Sequence, residues 1–157
     1  MTAHQQRLLV EHGALVFLLG LAAGFPFAIE ILGRFELWPI PGSITIDMPG
    51  DVRGWRMAHL EGVLNGLLLI AAAAVGPLLQ LSVRGARWVT GGLLVCAWGN
   101  ILASWLGPLS ESRGLAFSGA TWNSVVYLLF VAAIVGVFGA MIALYLGARR
   151  ARRDASA

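Results

Sequence analysis

The chain concentrates its chemically capable side chains in one short stretch. Within GWRMAHLEGVLNG, residues 54–66, an apolar run that continues through Leu79 carries Arg56, His59, Glu61 and Asn65. A helix turns about 100° per residue, so Arg56, His59, Gly62, Val63 and Gly66 share one face. A flat ligand bound to the His59 nitrogen could lie over Gly62 and Gly66, with Arg56 one turn away to meet an acidic group on its edge. Haem has that shape and those needs: an axial nitrogen ligand, and cations for its propionates. The spacing alone favours a second account, a histidine hydrogen-bonded to a neighbouring helix with glycines for helix packing. Asn65 lies six residues beyond His59, about 120° around the helix. It shares its face with Glu61 instead, and the two read as a polar pair suited to hydrogen bonding between helices.

A second set, Cys96, Asn100 and Ser104, recurs at intervals of four residues. One helical face therefore carries all three, and in a membrane it turns inward, either for packing and hydrogen bonding or to line a pocket. Cys96 is the only cysteine, which excludes an intrachain disulfide and a multi-cysteine metal cluster. His12, beside Glu11, reads as an interfacial, hydrogen-bonded histidine, and His4 as solvated. Trp88, Trp98, Trp105 and Trp122 read as packing residues and interface anchors.

These side chains need a scaffold, and the composition defines its solvent. Of 157 residues, 58% are hydrophobic and 12% charged, with a mean hydropathy of +0.78. Only a membrane protein has that balance. Four stretches, about 10–32, 57–81, 87–107 and 122–147, are long enough to cross a core of ~30 Å as helices. The expectation is an all-α, polytopic membrane protein, residues 1–157 forming one four-helix domain that packs as a compact, oligomeric bundle. The N-terminal apolar segment is too long for a typical signal peptide and lacks a small-residue cleavage pattern, so the first helix is expected to stay.

The sequence pI near 10.0 does not imply nucleic acid, because the basic residues mark topology. All eleven are arginines, and four sit in the tail ARRARRDASA, residues 148–157. Four crossings place seven arginines with both termini and the VRGAR turn, against Arg34, Arg53, Arg56 and Arg113 on the other side. Positive-inside then puts both termini in the cytoplasm of a cell inner membrane. The first connection, GRFELWPIPGSITIDMPGD, has three prolines and three glycines, and Ile44, Ile46 and Met48 alternate like a short strand. A folded outer cap is expected; an ordinary interfacial loop, with Trp38 and Trp55 in the aromatic belt, fits this segment equally well. The connection GPLSESRGLAFSGA, with Glu111 and Arg113, lies on the same face. Gly20 and Gly24, Gly62 and Gly66, and Ala103 and Gly107 are small-residue pairs that favour close helix packing.

At these residues the chain resembles the styrene oxide isomerase family of small membrane proteins. The match runs through GRFELWPIPG and MPGDVRGWRMAHLEGVLNG, and more loosely through WGNI, SESRGLAF and HGALVF, over about three quarters of the chain. The resemblance implies isomerisation of apolar aryl epoxides to aldehydes by a homotrimer in the lipid bilayer. It also implies ferric haem b at subunit interfaces, with His59 as iron ligand and Asn65 in the pocket. Arg56 would then meet a propionate, and Cys96 and Ser104 would line the pocket. One helix could serve two sites, giving His59 to one haem and Asn65 to the next. Two positions depart from the family pattern, which has an acidic residue at Cys96 and a tyrosine at Ser104. The only tyrosines here are Tyr127 and Tyr145. A haem protein of the same fold that senses or transfers electrons, and a cofactor-free membrane scaffold, are the alternatives.

Overall fold

Helix-capping side chains, rather than the limits of the apolar runs, decide where three of the four long helices begin. In the computed structural model, which describes every residue except Trp38, Glu111, Arg113, Ser118 and Ala157, helix α1 spans Ala3–Leu32. It starts seven residues before its apolar run because Thr2 and Gln5 form a reciprocal capping box, at 2.8 and 3.2 Å. Each satisfies one of the amides a helix start leaves unpaired. Helix α1 contains Pro26 and stops at Gly33, whose φ of 68° suits glycine. Asp51 caps α2, Val52–Val75, by accepting from the Gly54 amide. Ser82 caps α3, Val83–Leu106, through the Gly85 amide. Both α2 and α3 run into a Gly-Pro-Leu 3₁₀ turn, Gly76–Leu78 and Gly107–Leu109, where proline cannot extend the helix ladder.

Helix α4, Thr121–Asp154, continues through most of the segment read as a basic tail. Arginine is a good helix former, and Arg152 and Arg153 in the last turn complement the helix dipole. The aromatic anchor Trp38 and the loop charges Glu111 and Arg113 lie outside the described residues.

The four helices form a bundle, each long and apolar enough to cross a membrane. Helix α1 packs along α2, α3 packs along α4, and α2 meets α3. Glycines set the closest approaches. A Cβ added at Gly20 would come 2.5 Å from the Val63 nitrogen, and one at Gly92 2.5 Å from the Gly136 carbonyl. The backbones therefore touch where ordinary side chains would hold them apart. Leu9, Val16, Leu69, Leu93 and Ile101 fill the main core. Ala23, Trp55 and Ala58 form a smaller cluster, with Phe27, Met48 and Trp105 packed on it. Only 17% of the most apolar window of α1 is buried by protein, so its outer face needs lipid or another subunit.

Both termini share one end of the bundle. Met1 packs against Gly76, and the Gln80 amide donates to the Gly147 carbonyl at 3.3 Å. At the other end, β1 (Arg34–Glu36) and β2 (Ser43–Thr45) pair antiparallel, with Phe35 opposite Ile44. The hairpin is exposed on both faces, so the Ile44–Met48 alternation does not mark a buried strand face. Instead, Met48 turns in beneath Trp55, and the Trp55 indole donates to the Pro49 carbonyl at 2.9 Å. Gly50 and Gly54 both pack on Pro108, joining the first connection to the end of α3. Asn123, buried on α4, gathers the last connection: its Oδ1 accepts from the Ser112 amide and hydroxyl and the Gly114 amide, at 2.7–3.2 Å, and its Nδ2 donates to Ala116 at 2.6 Å.

Replacing Gly62 with leucine drives a side chain into the Gly20 backbone, and the expected cost is about 1–3 kcal/mol. Gly91→Ala, with nothing within 4 Å of its added carbon, carries no steric cost and is expected to be neutral to stabilising, by up to about 1 kcal/mol. Unfolding of the two detergent-solubilised variants measures the contrast.

Candidate functional site

The close α1–α2 contact brings His59 to α1. Its Nδ1 lies 2.9 Å from the Gly20 carbonyl; a carbonyl only accepts, so Nδ1 carries a proton, and in the neutral ring that leaves the lone pair on Nε2. Nε2 makes no hydrogen bond among the described residues. Gly24, one turn along α1, leaves room for the ring: an added Cβ would lie 3.2 Å from Nδ1. Phe27 stacks alongside, with ring centroids 6.3 Å apart and planes 24° apart. The imidazole is thus held on two sides and half-buried. Arg56, one turn earlier, is exposed and makes no ion pair among the described residues.

Gly62 and Gly66 do not form an open cradle beside that ring. Gly62 abuts Gly20, and Gly66 lies against Gly13 and Phe17. The face predicted from the spacing exists, but α1 covers its glycine half. The expectation that a flat ligand rests on these two glycines is therefore corrected: their missing side chains admit a helix.

Asn65 faces the other way, toward α3. Its Nδ2 donates to the Glu61 backbone carbonyl and to Glu61 Oε2, both at 2.8 Å. Its Oδ1 accepts from Asn100 Nδ2 and from the Cys96 thiol, both at 3.3 Å. Glu61 and Asn65 thus pair within α2, and Cys96 and Asn100 extend the network across to α3. In an environment without water such a network satisfies groups that would otherwise be costly to bury. Ser104 is completely buried, but its Oγ has no partner among the described residues, and neither does the buried indole nitrogen of Trp105. The two tyrosines do not compensate for Ser104. Tyr127 packs edge-on against Phe117, and Tyr145 is exposed.

His59 and Asn65 are therefore separated within one chain, on the α1 and α3 sides of α2. Sequence spacing gave their angular offset and the Glu61–Asn65 pair, but not the groups on neighbouring helices that meet His59 and Asn65. The Gly20 carbonyl, Gly24 and Phe27 belong to another helix, and only the small-residue pairs Gly20–Gly24 and Gly62–Gly66 pointed to a close approach there. His12 accepts from the Trp98 indole at 3.1 Å, as suits a hydrogen-bonded histidine near the terminal end of the bundle.

Among the described residues, no three His, Cys, Asp or Glu side chains converge to hold a bare metal ion. A metal carried by its own macrocycle needs only one protein ligand, and His59 has the attributes of one: a tautomer fixed by a backbone carbonyl, with the other nitrogen available. The residues at this position fit haem, with His59 as ligand and Arg56 within a turn for an acidic edge group.

Fold and site define a four-helix membrane bundle with one oriented histidine and a separate buried amide network. The family model for styrene oxide isomerase matches residues 5–149, and the chain belongs to that family. A relative from Pseudomonas fluorescens, styrene-oxide isomerase, is 31% identical over 113 residues. The aligned region covers 71% of this chain and 66% of the relative, slightly under two thirds of that protein's length.

The amide network yields a measurable coupling. Asn65→Ala and Asn100→Ala, alone and combined, should give a double-mutant coupling of about 0.6 kcal/mol, with ~1.7 as the upper bound for such bonds in membranes. Purely additive unfolding energies would show that the two amides do not interact.

Proposed function

We propose that this protein is a haem b-dependent membrane isomerase that converts an apolar aryl epoxide into an aldehyde. The observation that carries the reading is the His59 ring, with Nδ1 bonded to Gly20 and Nε2 left as a ligand. Ferric haem b, held by His59, would supply Lewis acidity toward an epoxide oxygen. The overall reaction is internal to the substrate: oxygen is retained, one hydrogen shifts to the neighbouring carbon, and no external redox partner is consumed.

The chain's own residues supply the rest. The Gly20 carbonyl fixes the His59 tautomer and raises its basicity, and Arg56 meets a propionate. Asn65 orients the substrate oxygen through an N–H released from Glu61. Its carbonyl stays tied to Asn100 and Cys96, so the amide cannot flip. Cys96 and Ser104 line the pocket, and the unpaired Ser104 hydroxyl offers a donor where the family pattern has a tyrosine. Water would divert ring opening to a diol, so the apolar surroundings of these residues protect the product.

Because His59 and Asn65 face different neighbours, a site that uses both draws them from two copies of the chain, and a homotrimer with three such sites satisfies every subunit. The apolar substrate enters laterally from the bilayer. The arginine-rich end, with both termini, lies in the cytoplasm and the bundle spans the inner membrane.

Protein purified in mild detergent after haem-sufficient expression should show a haem absorption band that shifts on adding styrene oxide, with aldehyde formed. His59→Ala should lose the band and lower turnover at least about 100-fold, and added imidazole should restore part of the band. A colourless wild-type protein rejects the assignment. A haem band unmoved by the epoxide, without product, leaves a haem protein of another function. Gly24→Val crowds the His59 ring and should weaken haem retention about 10- to 100-fold, read as haem loss on dilution.

A further inference from the structure

The seam between α3 and α4 holds two consecutive grooves of about 610 and 280 Å³. Both are lined by Arg84 and Trp88. The Trp88 ring lies across the seam on Gly139, where an added Cβ would come 2.8 Å from it. The larger groove runs from Arg84 and Arg87 to Val95, with Gly91 on its wall. Nothing stands within 4 Å of a Cβ at Gly91, so the wall there is bare backbone. The smaller groove opens beside Arg150.

We infer that this seam binds an anionic phospholipid, its phosphate held by Arg84, Arg87 and Arg150 and an acyl chain laid in the larger groove. Charge carries the first part of the argument. All three arginines are exposed, and the only ion pair among the described residues is Arg34–Glu36, at the opposite end of the bundle. Asp154 lies one turn beyond Arg150 on α4 but pairs with no arginine of the seam. Unpaired arginines converging at headgroup depth are the recognition chemistry of an anionic lipid.

Length carries the second part. Eleven residues separate Arg84 from Val95, a helical rise of about 17 Å. That is close to half of a ~30 Å hydrocarbon core, the depth of one leaflet. A groove that begins at arginines and ends near the midplane has the dimensions of a lipid. A second copy of the chain is a poor occupant, because copies share one orientation in the membrane. Each would bring its own arginine-rich end to the same level, like charge against like.

The test is native mass spectrometry of delipidated protein titrated with phosphatidylglycerol or phosphatidylethanolamine of identical acyl chains. Wild-type protein is expected to bind phosphatidylglycerol preferentially, one per chain. Each arginine removed in R84Q, R87Q and R150Q should lower that preference about fivefold. Gly91→Leu keeps the charges but fills the groove, and should also lose the bound lipid; circular dichroism confirms that both kinds of variant remain helical. Equal binding of the two lipids, or a preference that survives R84Q/R87Q, overturns the proposal. So does cross-linking between copies of a Gly91→Cys variant in membranes, which would seat a second subunit in the groove.

Discussion

Backbone contact between α1 and α2 at Gly20 and Gly62 is the constraint on which the other features depend. With any side chain at either position the helices would stand apart, and the Gly20 carbonyl would be out of reach of His59. The same contact fixes the rotation of α2 about its axis. Once Gly62 and Gly66 are committed to α1, Asn65 has to point toward α3, where Cys96 and Asn100 meet it. One steric fact thus sets the tautomer of a histidine and the company of an asparagine on a different side of the same helix.

The polar network shows how this chain accommodates its departures from the family pattern. Cys96 does not stand as an isolated apolar replacement. Its thiol donates to Asn65, whose remaining hydrogen-bonding capacity is taken by Glu61 and Asn100. Ser104 is different, because among the described residues no group accepts from or donates to its buried hydroxyl. In a medium without water, that contrast separates a position already satisfied within the subunit from one that is not.

The four crossings were legible because membrane helices declare themselves by apolar length, and so were the His59 face and the Asn65 offset, which depend only on helical angle. Less legible was what lay opposite them. A line of glycines reads the same whether a ligand or a helix covers it, so Gly62 and Gly66 could not be assigned without knowing the position of α1. Asn123 passed unnoticed because its importance comes from loop carbonyls and amides that no spacing rule connects to it. The helical part of the C-terminal tail was missed for another reason. Hydropathy reports what lipid will accept, whereas Arg149–Asp154 are helical through propensity and dipole, which continue beyond the lipid.

The length of α4 has a mechanical consequence. Its 34 residues extend about 51 Å, some 20 Å more than the hydrocarbon core requires. The arginines near its end ride on a rigid rod instead of a loose tether, so the bundle cannot sink without dragging guanidinium groups into oil. Arg53 and Arg56 at the start of α2 resist movement in the other direction. Together they act as depth stops, holding His59 at a fixed level below the membrane interface at that end of the bundle.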